Sequence, residues 1–235
     1  PTLQVSDIRA ISQLAHAHDA IVMADNTFMS PYLQNPLDLG CDLVIHSASK
    51  FLAGHSDVIA GVVVAQGKEL SQKIGALQKQ LGGILGPQDS WLTLRGLKTL
   101  GLRMDQEQRN AQELAQFLEK HPLIEHVYYP GLVNHPGASL QRQQARGAGA
   151  VLSVVFRPEI YWPEMVRHLR YAIFAVSLGG VETIVSHPST MSHSSMPLAE
   201  QKERHISSQL LRISAGIEDT QDLIEDFSQA LEYVR

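Results

Sequence analysis

The hydrophobic positions in the first 65 residues follow the pattern of a domain with alternating helices and strands. Apolar residues at helical spacing follow the capping pair Ser6-Asp7 and predict an amphipathic helix that ends near His18. Three apolar runs then have the length of strands: residues 20–24, 43–45 and 59–65. We expect both faces of the first strand to be buried, as in a parallel sheet covered by helices. This order of elements predicts an α/β fold.

The second half of the chain begins with two predicted helices, at residues 88–101 and 104–120. His121-Pro122 ends the second helix, and the turn-rich segment that follows, most clearly residues 127–137, indicates a domain boundary. The remaining predicted elements are a strand at 150–156, a short helix at 165–172, a strand ending at 212–216 and an amphipathic helix at 219–234. We therefore divide the chain into residues 1–121 and 122–235.

The composition excludes several classes of protein. The 235 residues are 44% hydrophobic and 18% charged, and no apolar run approaches the ~18 residues that span a bilayer. The net charge is -5 and the basic residues are scattered, which argues against nucleic-acid binding. Cys41 is the single cysteine, so no intrachain disulfide can form. We predict a cytoplasmic protein that binds neither membranes nor nucleic acid.

A carboxylate and a lysine follow two of the predicted strands. Asp25 ends the first strand and Lys50 follows the second, and ligands of open α/β sheets bind at such carboxyl ends. A lysine between apolar segments is costly to bury charged, so its pKa tends to fall and its amine can form a Schiff base with an aldehyde. A carboxylate can keep a pyridine nitrogen protonated, and the hydroxyls of Ser47 and Ser49 could hold a phosphate. The pattern is typical of pyridoxal phosphate chemistry, and the alternative is a strand-end lysine that points into water.

Six blocks of sequence, in order over nearly the whole chain, resemble one family. They are ADNTF at 24–28, HSASKFLAGHSD at 46–57, YPG at 129–131, SLGGVET at 177–183, HPSTMSH at 187–193 and LRISAGIE at 211–218. The blocks are similar to those of the Cys/Met-metabolism family of pyridoxal-phosphate enzymes, the fold-type I group of cystathionine lyases and synthases and methionine γ-lyase. The resemblance implies a mostly parallel large domain, to which residues 1–121 would belong, and a small α/β domain, residues 122–235.

The resemblance assigns roles to individual residues that bind the cofactor. It makes Lys50 the lysine that holds pyridoxal 5'-phosphate as a covalent imine, and Asp25 the partner of the pyridine nitrogen. Ser47 and Ser49 would be phosphate ligands. It implies no metal in the site.

The resemblance also assigns residues to the amino-acid substrate. Arg212 would bind the α-carboxylate, because a guanidinium fork can hold a carboxylate with two hydrogen bonds. Ser177 and Ser192 would line the same pocket, and relatives often have threonine in place of Ser192.

Family members have about 150 further residues before the point that corresponds to Pro1, including part of the phosphate site. The resemblance therefore implies that an N-terminal segment, possibly a separate chain, completes the site. It also implies a homotetramer built from dimers that share active sites. We do not expect the chain to work alone.

The implied activity is that of a carbon–sulfur lyase of sulfur amino acid metabolism. Trans-sulfuration γ-lyases often have an acidic residue directly before the SLGG block, where this chain has Val176. This feature and the flanking blocks favour cystathionine β-lyase activity. Cystathionine γ-lyase, cystathionine γ-synthase and methionine γ-lyase activities are the alternatives.

Three other interpretations remain open from the residues. Residues 47–50 fit the S-x-x-K pattern of penicillin-binding enzymes, but no S-D-N or K-T-G partner occurs. A metal site is a second interpretation, because His187, His193 and His205, or His16 and His18, form local clusters, but neither cluster has metal-site spacing. The third interpretation is a module that binds the cofactor without catalysis.

Overall fold

The computed structural model describes residues 1–234 of the chain. Its first half contains α1 (Ile8–His16), β1 (Met23–Asp25), α2 (Ser30–Leu33), a 3-10 turn (Pro36–Leu39), β2 (Leu43–Ser47), β3 (Gly61–Ala65), α3 (Gly67–Leu81), α4 (Pro87–Leu97) and α5 (Leu100–Glu119). The second half contains β4 (Ile124–Tyr128), α6 (Ala138–Gln144), β5 (Val151–Phe156), α7 (Pro163–His168), β6 (Ile173–Phe174), β7 (Ile184–Ser186), α8 (Leu198–Glu203), β8 (Leu210–Ser214) and α9 (Thr220–Leu231). The α/β class predicted from the sequence is confirmed.

The N-terminal sheet has the strand order β1-β2-β3. β1 runs parallel to β2, and Asp25 is paired with Ile45. β3 runs antiparallel to β2, with Ser47 paired with Gly61. Because β1 and β2 are parallel neighbours, their polar carboxyl ends lie at the same edge of the sheet.

The N-terminal sheet is largely uncovered, so the prediction that both faces of the first strand are buried is wrong for this chain. The side chain of Met23 in β1 is 58% exposed, and that of Val63 in β3 is 47% exposed. Ile59 precedes β3 instead of belonging to it, and no residue of α3 is buried. An apolar run shows that side chains favour burial, but it does not show that the chain supplies the element that covers them.

The C-terminal sheet has the order β4-β5-β8-β7-β6 and is antiparallel except for the β6–β7 pair. Its core is closed by α5 and α9, with Leu114 and Phe227 fully buried. The N-terminal end of α5 belongs to a second core, where Met104 packs with Phe51. The two sheets lie on either side of residue 121, while α5 contributes to both cores. The division at residue 121 stays a proposal.

The predicted start of α1 is confirmed, and other predicted boundaries move. Asp7 accepts a hydrogen bond from Ala10 N at 2.9 Å and caps α1, as the sequence predicts. The turn-rich segment begins later than predicted, because β4 extends to Tyr128. α7 ends at His168 instead of residue 172, because the carboxylate of Asp226 accepts the N–H groups of residues 170–172.

Within residues 1–234, none of the helices is long and apolar enough to cross a membrane.

Candidate active site

Lys50 lies in a tight turn that follows β2. Ala53 N donates to Ala48 O at 2.9 Å, and Gly54 N donates to Lys50 O at 2.8 Å. The next side chain, Phe51, is buried in the N-terminal core, while Lys50 itself is partly exposed. The turn therefore anchors the backbone of Lys50 on its apolar side and leaves the amine to face a cavity.

The amine of Lys50 contacts the loop that precedes β7. Lys50 Nζ donates to Ser177 Oγ at 2.6 Å across 127 residues of sequence. Burial, and then the positive charge of Arg212, lower the pKa of the Lys50 ammonium. A lowered pKa increases the fraction of neutral amine near pH 7, which is the form that acts as a base or nucleophile.

Arg212 in β8 reaches the same loop. Its Nη2 donates to Ser177 O at 2.6 Å, and its Nε has no hydrogen-bond partner among residues 1–234. Burial lowers the pKa of the guanidinium. Lys50, Ser177 and Arg212 are thus brought together, and the guanidinium keeps donors that Ser177 does not use for an acceptor of a ligand.

The Ser177 loop needs unusual backbone angles to pack on the Lys50 turn. Ser177 and Gly179 both have positive φ, 87° and 74°. Gly179 N donates to Ser214 Oγ at 2.8 Å, and a Cβ placed on Gly179 would lie 2.8 Å from Phe51 N. Only glycine allows this approach without strain.

Asp25 is held at the end of β1 through Thr27. The Oδ1 atom of Asp25 accepts Thr27 N at 3.0 Å and Thr27 Oγ1 at 2.6 Å. Thr27 Oγ1 in turn accepts Ser47 N at 2.8 Å. Thr27, which the sequence reasoning did not single out, connects the two strand ends. A hydroxyl residue two positions after a strand-end aspartate is the signal that could have indicated this turn.

Five of the seven predicted site residues line two separate cavities, and Arg212 and Ser192 line neither of them. Ser47, Ser49, Lys50 and Ser177 line a cavity of about 580 Å³. Asp25 lines a different cavity of about 410 Å³, and the two linings share no residue. The hydroxyl of Ser49 accepts Ala60 N at 2.9 Å and donates to Ala60 O at 3.3 Å. The second bond is long, and the O–H can turn toward a ligand.

Ser192 lies farther from the lysine. Its exposed hydroxyl contacts His193 Nδ1 at 2.9 Å, and it is not part of the lining of the Lys50 cavity. Burial, the N-terminal amine and the charges of Arg212 and Arg204 lower the pKa of His193.

The competing interpretations of the sequence find little support in the geometry. Ser47 is the last residue of β2, whereas the serine of an S-x-x-K hydrolase opens a helix. In residues 1–234, no group of three or more histidine, cysteine, aspartate or glutamate side chains could hold a metal ion.

Comparison with known proteins connects this geometry with one family. The sequence of residues 1–232 matches the family model of the Cys/Met metabolism PLP-dependent enzymes. The chain is 49% identical over 234 residues to cystathionine beta-lyase MetC of Bacillus subtilis (strain 168), covering 100% of this chain and 60% of that protein. It is 45% identical over 234 residues to cystathionine gamma-lyase of the same strain, covering 100% of this chain and 62% of that protein.

Solved structures of related enzymes have the same fold as this chain. The crystal structure of cystathionine gamma-lyase from Lactobacillus plantarum complexed with L-serine superposes with a TM-score of 0.97 at 43% identity, covering 99% of this chain and 61% of that one. A cystathionine gamma synthase from Xanthomonas oryzae pv. oryzae in complex with cystathionine gives 0.96 at 42% identity, over 99% and 60% of the two chains. The chain spans about three fifths of the length of the relatives that it matches. On its sequence and its fold, the chain belongs to the Cys/Met metabolism PLP-dependent enzyme family.

Proposed function

We propose that this chain supplies the lysine and the carboxylate-binding arginine of a PLP-dependent carbon–sulfur lyase, with cystathionine β-lyase activity as its function. The observation that carries the proposal is the arrangement of Lys50, Ser177 and Arg212. The lysine amine lies 2.6 Å from Ser177 Oγ, and Arg212 Nη2 lies 2.6 Å from Ser177 O. A base and a carboxylate receptor that both contact one serine suit an α-amino acid, in which the carboxylate is bonded to the carbon that loses the proton.

The residues also fit pyridoxal phosphate. The Lys50 amine opens onto the 580 Å³ cavity together with the hydroxyl residues Ser47 and Ser49. Asp25 ends the neighbouring parallel strand, and Thr27 connects it with Ser47. These residues offer an amine for an aldehyde, hydroxyl donors for a phosphate and a carboxylate that can accept a hydrogen bond from a protonated ring nitrogen. When bound, the cofactor provides an electron sink for the charge left at the substrate Cα.

Arg212, Lys50 and Ser177 each have a proposed role that follows from the functional group of the side chain. Arg212 binds the α-carboxylate through the guanidinium donors that Ser177 does not use, and the fork geometry orients the Cα–H bond. Lys50, with its lowered pKa, takes the α-proton as a neutral amine. Ser177 holds the amine and prevents rotation away from Cα. For β-elimination a thiolate then leaves Cβ, while γ-elimination needs a further proton transfer at Cβ, for which Lys50 is the nearest base.

Val176 and the named relatives favour β-elimination. Val176 lines the Lys50 cavity and is 66% exposed, so an apolar side chain stands next to the site. The β-lyase of B. subtilis is 49% identical and that of Lactococcus lactis subsp. lactis (strain IL1403) is 47% identical. The γ-lyase activity is the second candidate, because the B. subtilis and L. plantarum γ-lyases match at 45% and 43% identity.

Product analysis separates the two candidates. The full-length protein, meaning this chain with any residues encoded with it, is incubated with cystathionine and pyridoxal phosphate. We expect pyruvate and homocysteine. Formation of 2-oxobutyrate and cysteine would show that the enzyme catalyses γ-elimination instead of β-elimination. Consumption of an O-acylhomoserine together with cysteine would indicate a synthase.

Lys50→Ala should abolish both the visible absorption of bound cofactor and turnover, because it removes the amine that holds the aldehyde and takes the proton. The exposed Lys68 in α3 provides the control. Lys68→Ala should leave both signals unchanged. Retention of both signals in Lys50→Ala would remove Lys50 from the site.

Three further parts of the proposal concern the whole protein. Sequence outside this chain supplies the remaining walls of the site, in keeping with the 60% coverage of its relatives. The protein is a homotetramer in the cytoplasm. Residues 1–121 belong to the large domain, and residues 122–235 form the small one.

A further inference from the structure

Behind the Lys50 turn lies a buried arginine that the proposed reaction does not use. The side chain of Arg103 in α5 is 4% exposed. Its Nη1 donates to Phe51 O at 2.8 Å, and its Nη2 donates to Leu52 O at 3.4 Å. Both acceptors belong to the residues directly after Lys50.

The same guanidinium is fixed from the other side by the junction of α4 and α5. Nη2 donates to Gly96 O at 3.0 Å, and Nε donates to Thr99 Oγ1 at 3.1 Å. Two glycines make room for this arrangement. A Cβ on Gly54 would collide with the Arg103 guanidinium, and a Cβ on Gly96 would collide with Ala53 O.

We infer that Arg103 is a positioning residue, which locks the turn after Lys50 against the α4–α5 junction and thereby sets the position of the Lys50 amine. The inference rests on the proposed role of Lys50 as base and cofactor lysine, and it extends that role to a residue 53 positions away in the sequence.

The hydrogen bonds to the carbonyl groups, more than an ion pair, account for the burial of Arg103. The nearest carboxylate oxygen, Glu107 Oε1, lies 3.9 Å from Nη1, which is too far for a hydrogen bond. Neither oxygen of Glu107 has a hydrogen-bond partner within residues 1–234. Burial raises the pKa of Glu107 to about 8, so this carboxyl is mostly protonated near neutral pH. A planar fork matches several carbonyl acceptors at once, which the point charge of a lysine cannot do.

Arg103→Lys tests the inference because it keeps the charge and removes the fork. Arg109→Lys is the matched control, since Arg109 is exposed on the same helix. Two measurements are made on the full-length variants. The first is kcat and KM for cystathionine. The second is the rate of reductive methylation of Lys50 in cofactor-free protein from pH 7 to 11, followed by mass spectrometry.

In Arg103→Lys we expect kcat to fall about 100-fold, because small displacements of a catalytic group have effects of this size. KM should change little, since Arg212 is untouched. The methylation profile of Lys50 should move to higher pH, because a loosened turn exposes the ammonium and relieves the lowering of its pKa by burial. Arg109→Lys should match the wild type in both measurements.

Thr99→Val provides a milder variant if Arg103→Lys does not fold. It removes the acceptor of Arg103 Nε, and it should shift the methylation profile in the same direction by a smaller amount. An unshifted profile and an unchanged kcat in the folded variants, with or without a loss of thermal stability, would overturn the inference. If the wild-type protein has no lyase activity, the proposed function fails, but the methylation profiles still decide the role of Arg103.

Discussion

At the scale of single residues, the site depends on close approach between two backbone segments. The Ser177 loop can lie against the Lys50 turn because Gly179 has no side chain. The hydrogen bond from Lys50 to Ser177 Oγ and the contact of Arg212 with Ser177 O both depend on that approach. The glycine therefore matters for the geometry of the proposed site as much as for the fold.

Gly179→Ala should destabilise the protein and disturb the site. A left-handed backbone costs a non-glycine residue about 1–2 kcal/mol, and the added Cβ would lie 2.8 Å from Phe51 N, which adds about 1–3 kcal/mol of overpacking. Urea unfolding followed by circular dichroism measures the change in free energy of unfolding. Gly75→Ala in α3 is the control, because a Cβ there meets nothing within 4 Å and should stabilise the helix by about 0.5–1 kcal/mol. Equal effects of the two substitutions would contradict this account of the loop.

At the scale of elements, buried carboxyl groups decide where helices end and how they pack. Asp226 in α9 is 2% exposed, and it accepts Arg170 N at 2.7 Å, Tyr171 N at 2.9 Å and Ala172 N at 3.1 Å. It thus fixes the segment between α7 and β6. Glu107 in α5 is as deeply buried but has no hydrogen-bond partner among the described residues, so the two groups should respond differently to substitution.

Asp226→Ala should lower the free energy of unfolding by several kcal/mol, since each buried N–H group left without an acceptor costs about 1–3 kcal/mol. Glu225→Ala, at the neighbouring exposed position, should change the stability by less than about 0.5 kcal/mol. Chemical denaturation of both variants at neutral pH provides the comparison. A loss in Asp226→Ala no larger than in Glu225→Ala would show that the three contacts do not stabilise α7 and β6.

Glu107 should make stability depend on pH. Burial raises its pKa in the folded chain from 4.5 to about 8, against the opposing effect of Arg103, and Glu218 raises it further. Between these values the unfolded chain has lost the proton and the folded chain keeps it, so stability falls as the pH rises from about 4.5 to 8. Below pH 4.5 both states are protonated and the contribution is absent.

Glu107→Gln removes this titration. The stability of the variant relative to the wild type should therefore increase between about pH 4.5 and 8, as measured by urea unfolding at several pH values. Glu113 is exposed on the same helix, and Glu113→Gln is the control. Its free energy of unfolding relative to the wild type should not change with pH. If the free energy of unfolding of Glu107→Gln relative to the wild type is also independent of pH, Glu107 ionises normally in the folded chain.

At the scale of the whole molecule, the two sheets differ in how well they are covered. The C-terminal sheet shares a buried core with α5 and α9, whereas the N-terminal sheet leaves apolar side chains of β1 and β3 in contact with solvent. β3 is also an edge strand within the described residues. Exposed apolar edge strands pair readily with other strands.

We expect the 235-residue chain, expressed by itself, to self-associate through this sheet. Light scattering should show a mass that rises with concentration, and Val63→Lys in β3 should reduce it, because an edge lysine opposes pairing. Val133→Lys is the control, since Val133 is 95% exposed but lies in a loop. An equal reduction by both variants would indicate a general effect of charge instead of the sheet edge.

The sequence predicted the elements whose signals are local. Capping by Asp7, the apolar strands before Asp25 and Lys50, and the amphipathic helix α9 all follow from periodicity and end signals within a few residues. It missed the helices α2, α3, α6 and α8, the strands β4, β6 and β7, and the true end of α7. β4 follows no clear alternation, and the end of α7 is set by Asp226, which lies more than 50 residues away.

For the proposed site, the sequence determined which chemical groups are present, and the strand ends placed Asp25 and Lys50 at one edge of a sheet. The resemblance of the motifs to those of the family added Ser177 and Arg212 to the predicted site, but it did not show how these residues lie relative to Lys50. Only the tertiary structure decided that Ser177 lies on the Lys50 amine, that Thr27 connects Asp25 with Ser47, and that Arg103 holds the lysine turn. The physical reason is that side-chain periodicity records a preference for burial along the chain, whereas contacts between distant segments depend on how whole elements pack.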